Sequence, residues 1–210
     1  MAGRKRSWNS CMFWDRVAGV YDIFANIINS KTHKELKNYI ADQLDGAEDV
    51  LECACGTGLL TAVIAPRCKR LVATDFSANM LKRAQKNCAQ YGNISFEQAN
   101  MMSLTYADGT FDKVVAANVI HLLEEPVRAM REIDRVCKGG GSMIIPTYMN
   151  KDSTGKTSGF AKTVGKAGAD FKRQFTFETY QDFFRELGYE DVIYTMMEGR
   201  VPCAVAIIKK

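Results

Sequence analysis

A short apolar run that leads into a glycine-containing turn constrains the fold of this chain more than any other feature. Val50–Cys53 is typical of a buried strand, and Gly56 and Gly58 lie in the turn that follows it. Glycines at a strand-to-helix turn let the backbone approach a ligand, and the start of the next helix offers unpaired N–H groups. A second apolar run, Leu71–Thr74, leads directly to the carboxylate of Asp75. A turn after one strand and an acid after the next predict a nucleoside site at one edge of a Rossmann-like sheet.

Strand-like and helix-like segments alternate from residue 50 onward. The predicted strands are Val50–Cys53, Leu71–Thr74, Ile94–Gln98, Val114–Asn118, Met143–Pro146, Asp191–Met197 and Pro202–Lys209. The predicted helices are Leu59–Ala65, Ser77–Tyr91, Pro126–Cys137 and Phe177–Leu187. This alternation favours an α/β fold in which helices cover both faces of a mostly parallel sheet. The last two strands follow one another without a helix, so we expect an antiparallel hairpin to close the sheet.

Two segments lie outside this alternation. Apolar residues recur at helical spacing through the first 45 residues, which predicts N-terminal helices. We therefore divide the chain into cap helices at 1–45 and a domain at 46–210. Residues 150–170 are polar, basic and rich in glycine, so we expect a loop or lid over the site.

Size, charge and cysteine content narrow the class of protein. A chain of 210 residues suits a single domain with one well-filled core. A net charge of +4 is modest, and a nucleic-acid partner usually requires a concentrated basic face. The seven cysteines are odd in number and scattered, and Arg4-Lys5-Arg6 is not followed by the apolar run of a signal peptide. These features predict reduced thiols in a cytoplasmic protein. Cys53-x-Cys55 lacks a second ligand pair, so we expect no metal site.

The glycine-containing turn carries a motif that resembles a known family. Residues 52–58, Glu-Cys-Ala-Cys-Gly-Thr-Gly, are similar to (D/E)-x-G-x-G-x-G, the first motif of class I S-adenosylmethionine (SAM) methyltransferases. Ala54 stands where the family has its first glycine, and an alanine fits there if its backbone keeps a negative φ. The resemblance covers residues 45–210. It implies a Rossmann-like, doubly wound, mostly parallel sheet of seven strands with an antiparallel last strand, preceded by the N-terminal helical cap.

The resemblance implies a site for SAM and for its product S-adenosylhomocysteine (SAH). Glu52 would contact the methionyl part of SAM, with a capping carboxylate as the structural alternative. The backbone of Ala54, Gly56 and Gly58 would approach the methionine and the ribose. Asp75 would accept hydrogen bonds from both ribose hydroxyls.

The adenine would be held by residues that follow the second and third strands. Phe76 and Met80 would pack against the ring, although both residue types are also typical of a core. Asn100 would hydrogen-bond the adenine amino group, with Met101 as its apolar neighbour. A plain turn is the structural alternative for Asn100.

Three further segments carry the resemblance. Residues 118–123, Asn-Val-Ile-His-Leu-Leu, resemble the fourth motif of the group that includes quinone and small-molecule methyltransferases, and this places Asn118 toward the cofactor. His121 would lie near the departing methyl group and could accept a proton, but we favour a packed histidine that orients the loop. Residues 14–22 resemble the family's entrance helix, in which Tyr21 would reach the SAM carboxylate. Residues 131–141 resemble the R-V-L-K-P-G-G turn, whose glycines take positive-φ positions.

The resemblance implies SAM-dependent methyl transfer to a small-molecule acceptor by in-line displacement. Such a transfer needs alignment and exclusion of water, and it does not strictly require an acid–base pair. The core motifs therefore do not identify the acceptor or the methylated atom. Selectivity is expected from the N-terminal helices and from residues 147–175.

Other classes of protein with a similar fold would carry different motifs or the same cofactor motifs. A nicotinamide-dependent reductase would show G-x-G-x-x-G, and a base methyltransferase would show (N/D)-P-P-Y after the fourth strand; neither is present. A non-catalytic SAM-binding protein would carry the same cofactor motifs and stays open. An alternative acceptor is a lipid or quinone at a membrane surface. Basic residues that could contact an anionic membrane are Arg4-Lys5-Arg6 and the lysines of the 150–170 segment, although such charges more often form a solvated face.

Overall fold

A seven-stranded sheet with helices on both faces forms the body of the protein. The computed structural model describes residues 30–46, 48–149, 172–199 and 201–210. The predictions for Tyr21, for the entrance helix and for the loop at 150–170 lie outside the described residues. The proposed division of the chain at residue 45 stays a prediction.

The strands pair in the order β3-β2-β1-β4-β5-β7-β6. Their bounds are β1 Asp49–Cys53, β2 Arg70–Asp75, β3 Ile94–Gln98, β4 Phe111–Ala116, β5 Cys137–Tyr148, β6 Val192–Met197 and β7 Cys203–Lys209. Strands β1 to β5 pair in parallel, whereas β7 runs antiparallel to both of its neighbours, β5 and β6. The predicted fold class, including the antiparallel last strand, is confirmed.

Helices cover both faces of this sheet. They are α1 Ser30–Ala41, α2 Thr61–Ile64, α3 Ala78–Asn87, α4 Pro126–Val136 and α5 Phe177–Glu186. On one face, α4 and α5 bury Met130, Ile133, Phe183 and Phe184 in one apolar cluster. On the other face, α1, α2 and α3 bury Leu36, Ile40, Ile64, Leu81 and Ala84 in a second cluster. No helix within the described ranges is both long enough and apolar enough to cross a bilayer.

The four predicted helices are longer than the helices observed, and the difference is largest for the helices after β1 and β2. The segment after the turn was expected to be helical from Leu59 to Ala65, but α2 covers only Thr61–Ile64 and continues as a 3-10 helix over Ala65–Arg67. Pro66 lies inside that 3-10 helix, where its fixed φ is tolerated near a helix start. Helix α3 ends at Asn87 rather than Tyr91.

Two helices begin at a side-chain N-cap. The Ser77 hydroxyl accepts a hydrogen bond from the Met80 N–H at 3.1 Å and so begins α3. Thr176 caps α5 in the same way and exchanges a second hydrogen bond with Thr179, which makes a capping box. Both caps could be predicted because the cap residue and its partner are close neighbours in sequence.

The glycine run at 139–141 corrects one expectation. Strand β5 already begins at Cys137 and runs through all three glycines. Of the three, only Gly140 has a positive φ, at +80°. Gly141 is required for space instead, because a methyl side chain there would lie 2.5 Å from the Asp112 carbonyl oxygen.

Candidate functional site

The carboxyl ends of β1, β2 and β4 lie side by side and bring the predicted site residues to one edge of the sheet. Cys53 at the end of β1 pairs with Thr74 of β2 on one side and with Ala116 of β4 on the other. The order of the strands reverses between β1 and β4. In open α/β sheets, ligands bind in the crevice at such a reversal.

The turn after β1 is left-handed at three positions. Ala54, Gly56 and Gly58 have φ values of +56°, +57° and +91°. The N–H of Cys55 donates to the Thr74 carbonyl oxygen at 2.9 Å, which ties this turn to β2. The expectation of a negative φ at Ala54 is therefore wrong. Ala54 adopts the conformation that a glycine would favour, at a cost of about 1–2 kcal/mol.

Replacing Ala54 with glycine should therefore stabilise the protein. We expect Ala54→Gly to raise the free energy of unfolding by about 0.5–1 kcal/mol, because relief of the left-handed strain exceeds the added entropy of the unfolded chain. Urea denaturation measures the change. Ala78→Gly, at the exposed start of α3, is the control and should lower stability instead. A loss of stability in Ala54→Gly would contradict this account of the turn.

The two glycines of the turn have different surroundings. A methyl side chain at Gly58 would lie 2.9 Å from Cys88 Sγ and 3.2 Å from the Ala84 Cα, so Gly58 allows α3 to pack closely. A methyl side chain at Gly56 would meet no heavy atom of the described residues within 4 Å. Of the two, Gly56 is the one that leaves space for a ligand.

Alanine substitutions should separate these two roles. We expect Gly58→Ala to cost about 2–4 kcal/mol of stability, because it adds overpacking to left-handed strain. Gly56→Ala should cost only the strain, about 1–2 kcal/mol, but it should weaken nucleoside binding by filling the open space. Thermal unfolding and ligand titration measure the two effects. Equal losses of stability in the two variants would show that the packing of α3 does not distinguish them.

Asp75 links the ends of β1 and β2. Its Oδ2 accepts a hydrogen bond from the Gly56 N–H at 2.9 Å, and its Oδ1 accepts one from the Ser77 N–H at 2.8 Å. These bonds fix the orientation of a half-buried carboxylate. A carboxylate oxygen can accept more than one hydrogen bond, and ribose hydroxyls are donors that suit it. The contact with both ribose hydroxyls stays a prediction that this geometry permits.

Glu52 is buried behind the turn, at the end of β1. The hydroxyl of Thr61 donates to Glu52 Oε2 at 2.6 Å. Burial is the main cause that raises the pKa of Glu52 to about 8; the Thr61 hydrogen bond opposes the rise and the nearby charge of Asp75 adds to it. The carboxyl group is therefore largely protonated at neutral pH. A bound cation close by would favour its ionised form.

The residues predicted to hold adenine fall into two groups. Met80 and Met101 are buried, at 3% and 7% exposure, whereas the Phe76 side chain is 44% exposed. Phe76 is thus the one of these three residues whose side chain is open to a ligand. Asn100 is exposed, and its Oδ1 accepts a hydrogen bond from the Met102 N–H at 3.0 Å, as expected of a turn residue. Contact of these residues with adenine stays a prediction.

Asn118 follows β4 and has an unusual environment. Its φ of +53° ends the strand at Ala116, two residues earlier than predicted. Its N–H donates to the Pro146 carbonyl oxygen at 2.7 Å. Its side-chain oxygen is buried and meets no hydrogen-bond donor among the described residues. A buried acceptor of this kind costs about 1–3 kcal/mol, which a ligand donor at this edge would recover.

His121 lies in a 3-10 helix at Ile120–Leu122, just beyond Asn118. Burial lowers the pKa of His121 to about 4, so the imidazole is neutral near pH 7. Its carbonyl oxygen accepts a hydrogen bond from the Arg173 N–H at 3.1 Å, which joins this loop to the segment before α5. This environment favours the packed, loop-orienting role. Proton transfer by His121 stays an untested prediction.

The described cysteines behave as core residues. Cys53, Cys55, Cys68, Cys88, Cys137 and Cys203 are free and buried. Burial raises the pKa of Cys53 to about 12, so this thiol stays protonated at neutral pH. Within the described ranges, no three histidine, cysteine or acidic side chains group as metal ligands would.

A buried contact that the sequence analysis did not identify lies next to this edge. His33 Nε2 of α1 and the Tyr148 hydroxyl at the end of β5 are joined by a hydrogen bond. His33 occurs at helical spacing with Leu36 and Ile40, which form the apolar face of α1. A polar residue on an apolar helix face is the signal that could have drawn attention to it.

The fold and this edge of the sheet define the class I SAM-dependent methyltransferase architecture. Residues 51–145 match the protein family described as "Methyltransferase domain". SAM is the cofactor of these enzymes. The open space at Gly56, the oriented Asp75 carboxylate and the orphaned Asn118 oxygen fit a ligand that offers hydroxyl and ammonium donors.

Similar proteins include quinone methyltransferases and a structure with bound product. The chain is 32% identical over 139 residues to a demethylmenaquinone methyltransferase of Lactiplantibacillus plantarum, covering 62% of this chain and 59% of that protein. It is 25% identical over 211 residues to the ubiquinone/menaquinone biosynthesis C-methyltransferase UbiE of Cronobacter sakazakii, covering 88% and 84%. The N-methyltransferase NodS of Bradyrhizobium japonicum, solved with SAH, has a TM-score of 0.71 at 20% identity and covers 95% and 97%. The chain thus spans less than two thirds of the first relative's length.

Proposed function

We propose that this protein transfers the methyl group of SAM to a small-molecule acceptor. The observation that carries the proposal is the Asp75 carboxylate, which the Gly56 N–H and the Ser77 N–H hold at the carboxyl edge of β2. This arrangement presents an oriented anion beside an open backbone turn. Both are what a ribose with two adjacent hydroxyls requires.

The remaining residues of this edge complement a positively charged methyl donor. SAM supplies a methyl group on a sulfonium sulfur, which is already an excellent leaving group. Glu52 would offset part of the positive charge of the bound donor once it ionises. The Asn118 oxygen would accept a hydrogen bond from its ammonium group or from the acceptor. The protein's remaining task is to align the acceptor and to exclude water.

A quinol is the acceptor class that we propose to test first. The relatives from Lactiplantibacillus plantarum and Cronobacter sakazakii are named for menaquinone and ubiquinone chemistry, and the second is named as a C-methyltransferase. An electron-rich ring carbon can attack the methyl group once a ring hydroxyl gives up its proton. Action on a quinone or lipid at a membrane surface is the alternative, and it depends on basic residues outside the described ranges.

Release of SAH in the presence of an acceptor panel tests this function. The purified protein is supplied with SAM and, separately, with reduced 1,4-naphthoquinone, a phenol, an amine and a thiol. Mass spectrometry then locates the added methyl group. We expect SAH to form with the quinol and the product to carry its methyl group on carbon. Tight binding of SAM without SAH formation from any acceptor would instead indicate a non-catalytic SAM-binding protein.

A further inference from the structure

A buried imidazole–phenol pair joins α1 to the end of β5. His33 and Tyr148 are only 4% and 9% exposed, and their hydrogen bond links residues 115 positions apart in the sequence. The two rings stack at a centroid separation of 6.0 Å with an interplanar angle of 21°. Burying two polar, titratable groups costs stability that an apolar pair would not.

The pair lies at the end of β5, on the same edge of the sheet as the ends of β1 and β4. Tyr148 is the last residue of β5, the strand next to β4. Asn118 donates its N–H to the carbonyl of Pro146, two residues before Tyr148, so the loop after β4 reaches this end of β5. In the proposed function, the nucleoside occupies the ends of β1 and β2. The crevice therefore leaves the ends of β4 and β5, beneath α1, for the acceptor.

We propose that Tyr148 and His33 form the proton acceptor for methyl transfer, with Tyr148 contacting the acceptor hydroxyl and His33 acting through Tyr148. This inference rests on the proposed function. It assigns a catalytic role to Tyr148 and a positioning and proton-storing role to His33. The ligand chemistry that the pair recognises is an acidic hydroxyl on an aromatic ring.

The proton and electron balance of the step is complete. The ring hydroxyl gives its proton to the Tyr148 oxygen while the Tyr148 proton moves to His33 Nε2. A bond forms between the ring carbon and the methyl carbon, and the methyl–sulfur bond breaks with its electron pair remaining on sulfur. The ring then loses its C–H proton to solvent. His33 returns its proton through Tyr148 to the ring oxygen, which restores the starting pair.

The electrostatic environment of His33 suits this cycle. Burial lowers the pKa of His33, and the positive charge of Lys37 one turn along α1 lowers it further. The imidazole is thus neutral and able to accept a proton, and once protonated it gives the proton back readily. His33 Nδ1 is buried without a hydrogen-bond partner among the described residues.

A second hydrogen bond between α1 and the sheet provides a matched control. The Thr195 hydroxyl of β6 donates to the Tyr39 hydroxyl of α1 at 2.9 Å. Tyr39→Phe, like Tyr148→Phe, removes one phenol oxygen, and with it a hydrogen bond between the same helix and the same sheet. It does not touch the His33–Tyr148 pair. Any effect that Tyr148→Phe has beyond that of Tyr39→Phe therefore reflects the pair itself.

Turnover of reduced 1,4-naphthoquinone separates catalysis from tethering. We expect Tyr148→Phe and His33→Gln each to lower kcat about 100- to 1,000-fold, while SAM affinity by calorimetry stays within about threefold of wild type. The double variant should lose no more than either single variant, because the two residues act as a unit. Tyr39→Phe should keep kcat within about threefold. If Tyr148→Phe does not fold, the kcat of His33→Gln is compared with that of Tyr39→Phe instead.

A binding experiment tests the pair without turnover. We expect SAH-loaded wild-type protein to bind 1-naphthol about tenfold more tightly than naphthalene, because the hydroxyl meets Tyr148. Tyr148→Phe should lose this preference and Tyr39→Phe should keep it. A kcat for Tyr148→Phe equal to that for Tyr39→Phe, or an unchanged preference for 1-naphthol, would overturn the role of the pair and leave the proposed function standing. A wild-type protein that forms no SAH with any acceptor would overturn both.

Discussion

Asp75→Ala should lower the affinity for SAM and for SAH by at least about 100-fold. The carboxylate is expected to accept two ribose hydroxyls, and hydrogen bonds to a charged acceptor contribute about 1.5–3 kcal/mol each. The variant also loses the bonds from the Gly56 and Ser77 N–H groups, so the turn becomes less well ordered. Calorimetric titration of both ligands measures the effect. Asp75→Asn should fall between wild type and Asp75→Ala, because its amide keeps one acceptor oxygen.

Glu97→Ala is the matched control for this experiment. Glu97 is an acid on β3, the strand next to β2, and its Oε2 accepts a hydrogen bond from the Tyr106 hydroxyl at 2.7 Å. It shares its charge and its place near the edge with Asp75, but it does not contact the glycine turn in this structure. We expect its variant to bind SAH within about threefold of wild type. Equal losses in the two variants would mean that general charge, rather than the Asp75 site, attracts the ligand.

Glu52→Gln should stabilise the ligand-free protein by about 3 kcal/mol at pH 7 and by about 5 kcal/mol above pH 8. The folded protein raises the pKa of Glu52 to about 8 from the 4.5 of the unfolded chain, so between these values the folded state holds a proton that the unfolded state has lost. The free energy of unfolding therefore falls as pH rises from about 4.5 to about 8, by up to about 1.4 kcal/mol per pH unit. Glutamine carries no charge and removes this dependence. The same variant should bind SAM more weakly.

Urea denaturation at several pH values between 5 and 9 tests this account of Glu52. Wild type should lose stability across that range relative to Glu52→Gln, and the gap should stop growing above about pH 8. Thr61→Val is the control, since the Thr61 hydrogen bond lowers the pKa of Glu52. Loss of this hydrogen bond should raise the pKa of Glu52, so the fall in stability should extend to higher pH than in wild type. A gap that does not change with pH would show that Glu52 is ionised throughout.

The order of helices and strands could be predicted because the local periodicity of apolar residues indicates each element. The strand ends depended instead on distant partners. Strand β5 continues to Tyr148 because β7, some sixty residues later, pairs with Ser142–Tyr148, and it begins at Cys137 because that residue pairs with Phe111 of β4. The left-handed Ala54 lies in a turn that the bond from the Cys55 N–H to the Thr74 carbonyl ties to β2, and an alanine does not by itself predict this conformation.

The same distinction applies to the candidate site. Asp75 and the glycine turn were recognisable because a motif fixes their spacing. The orphaned oxygen of Asn118 became apparent only from its burial in the folded chain. The pair of His33 and Tyr148 depends on a helix and a strand that the fold brings together across 115 positions.

A crystal structure of the protein grown with SAH tests the central claim most directly. The account predicts electron density for the nucleoside in the crevice at the carboxyl ends of β1 and β2. Both ribose hydroxyls should lie within hydrogen-bond distance of the Asp75 carboxylate, with the sugar over Gly56. A nucleoside bound elsewhere, or crystals of folded protein that take up no SAH at millimolar concentration, would contradict it.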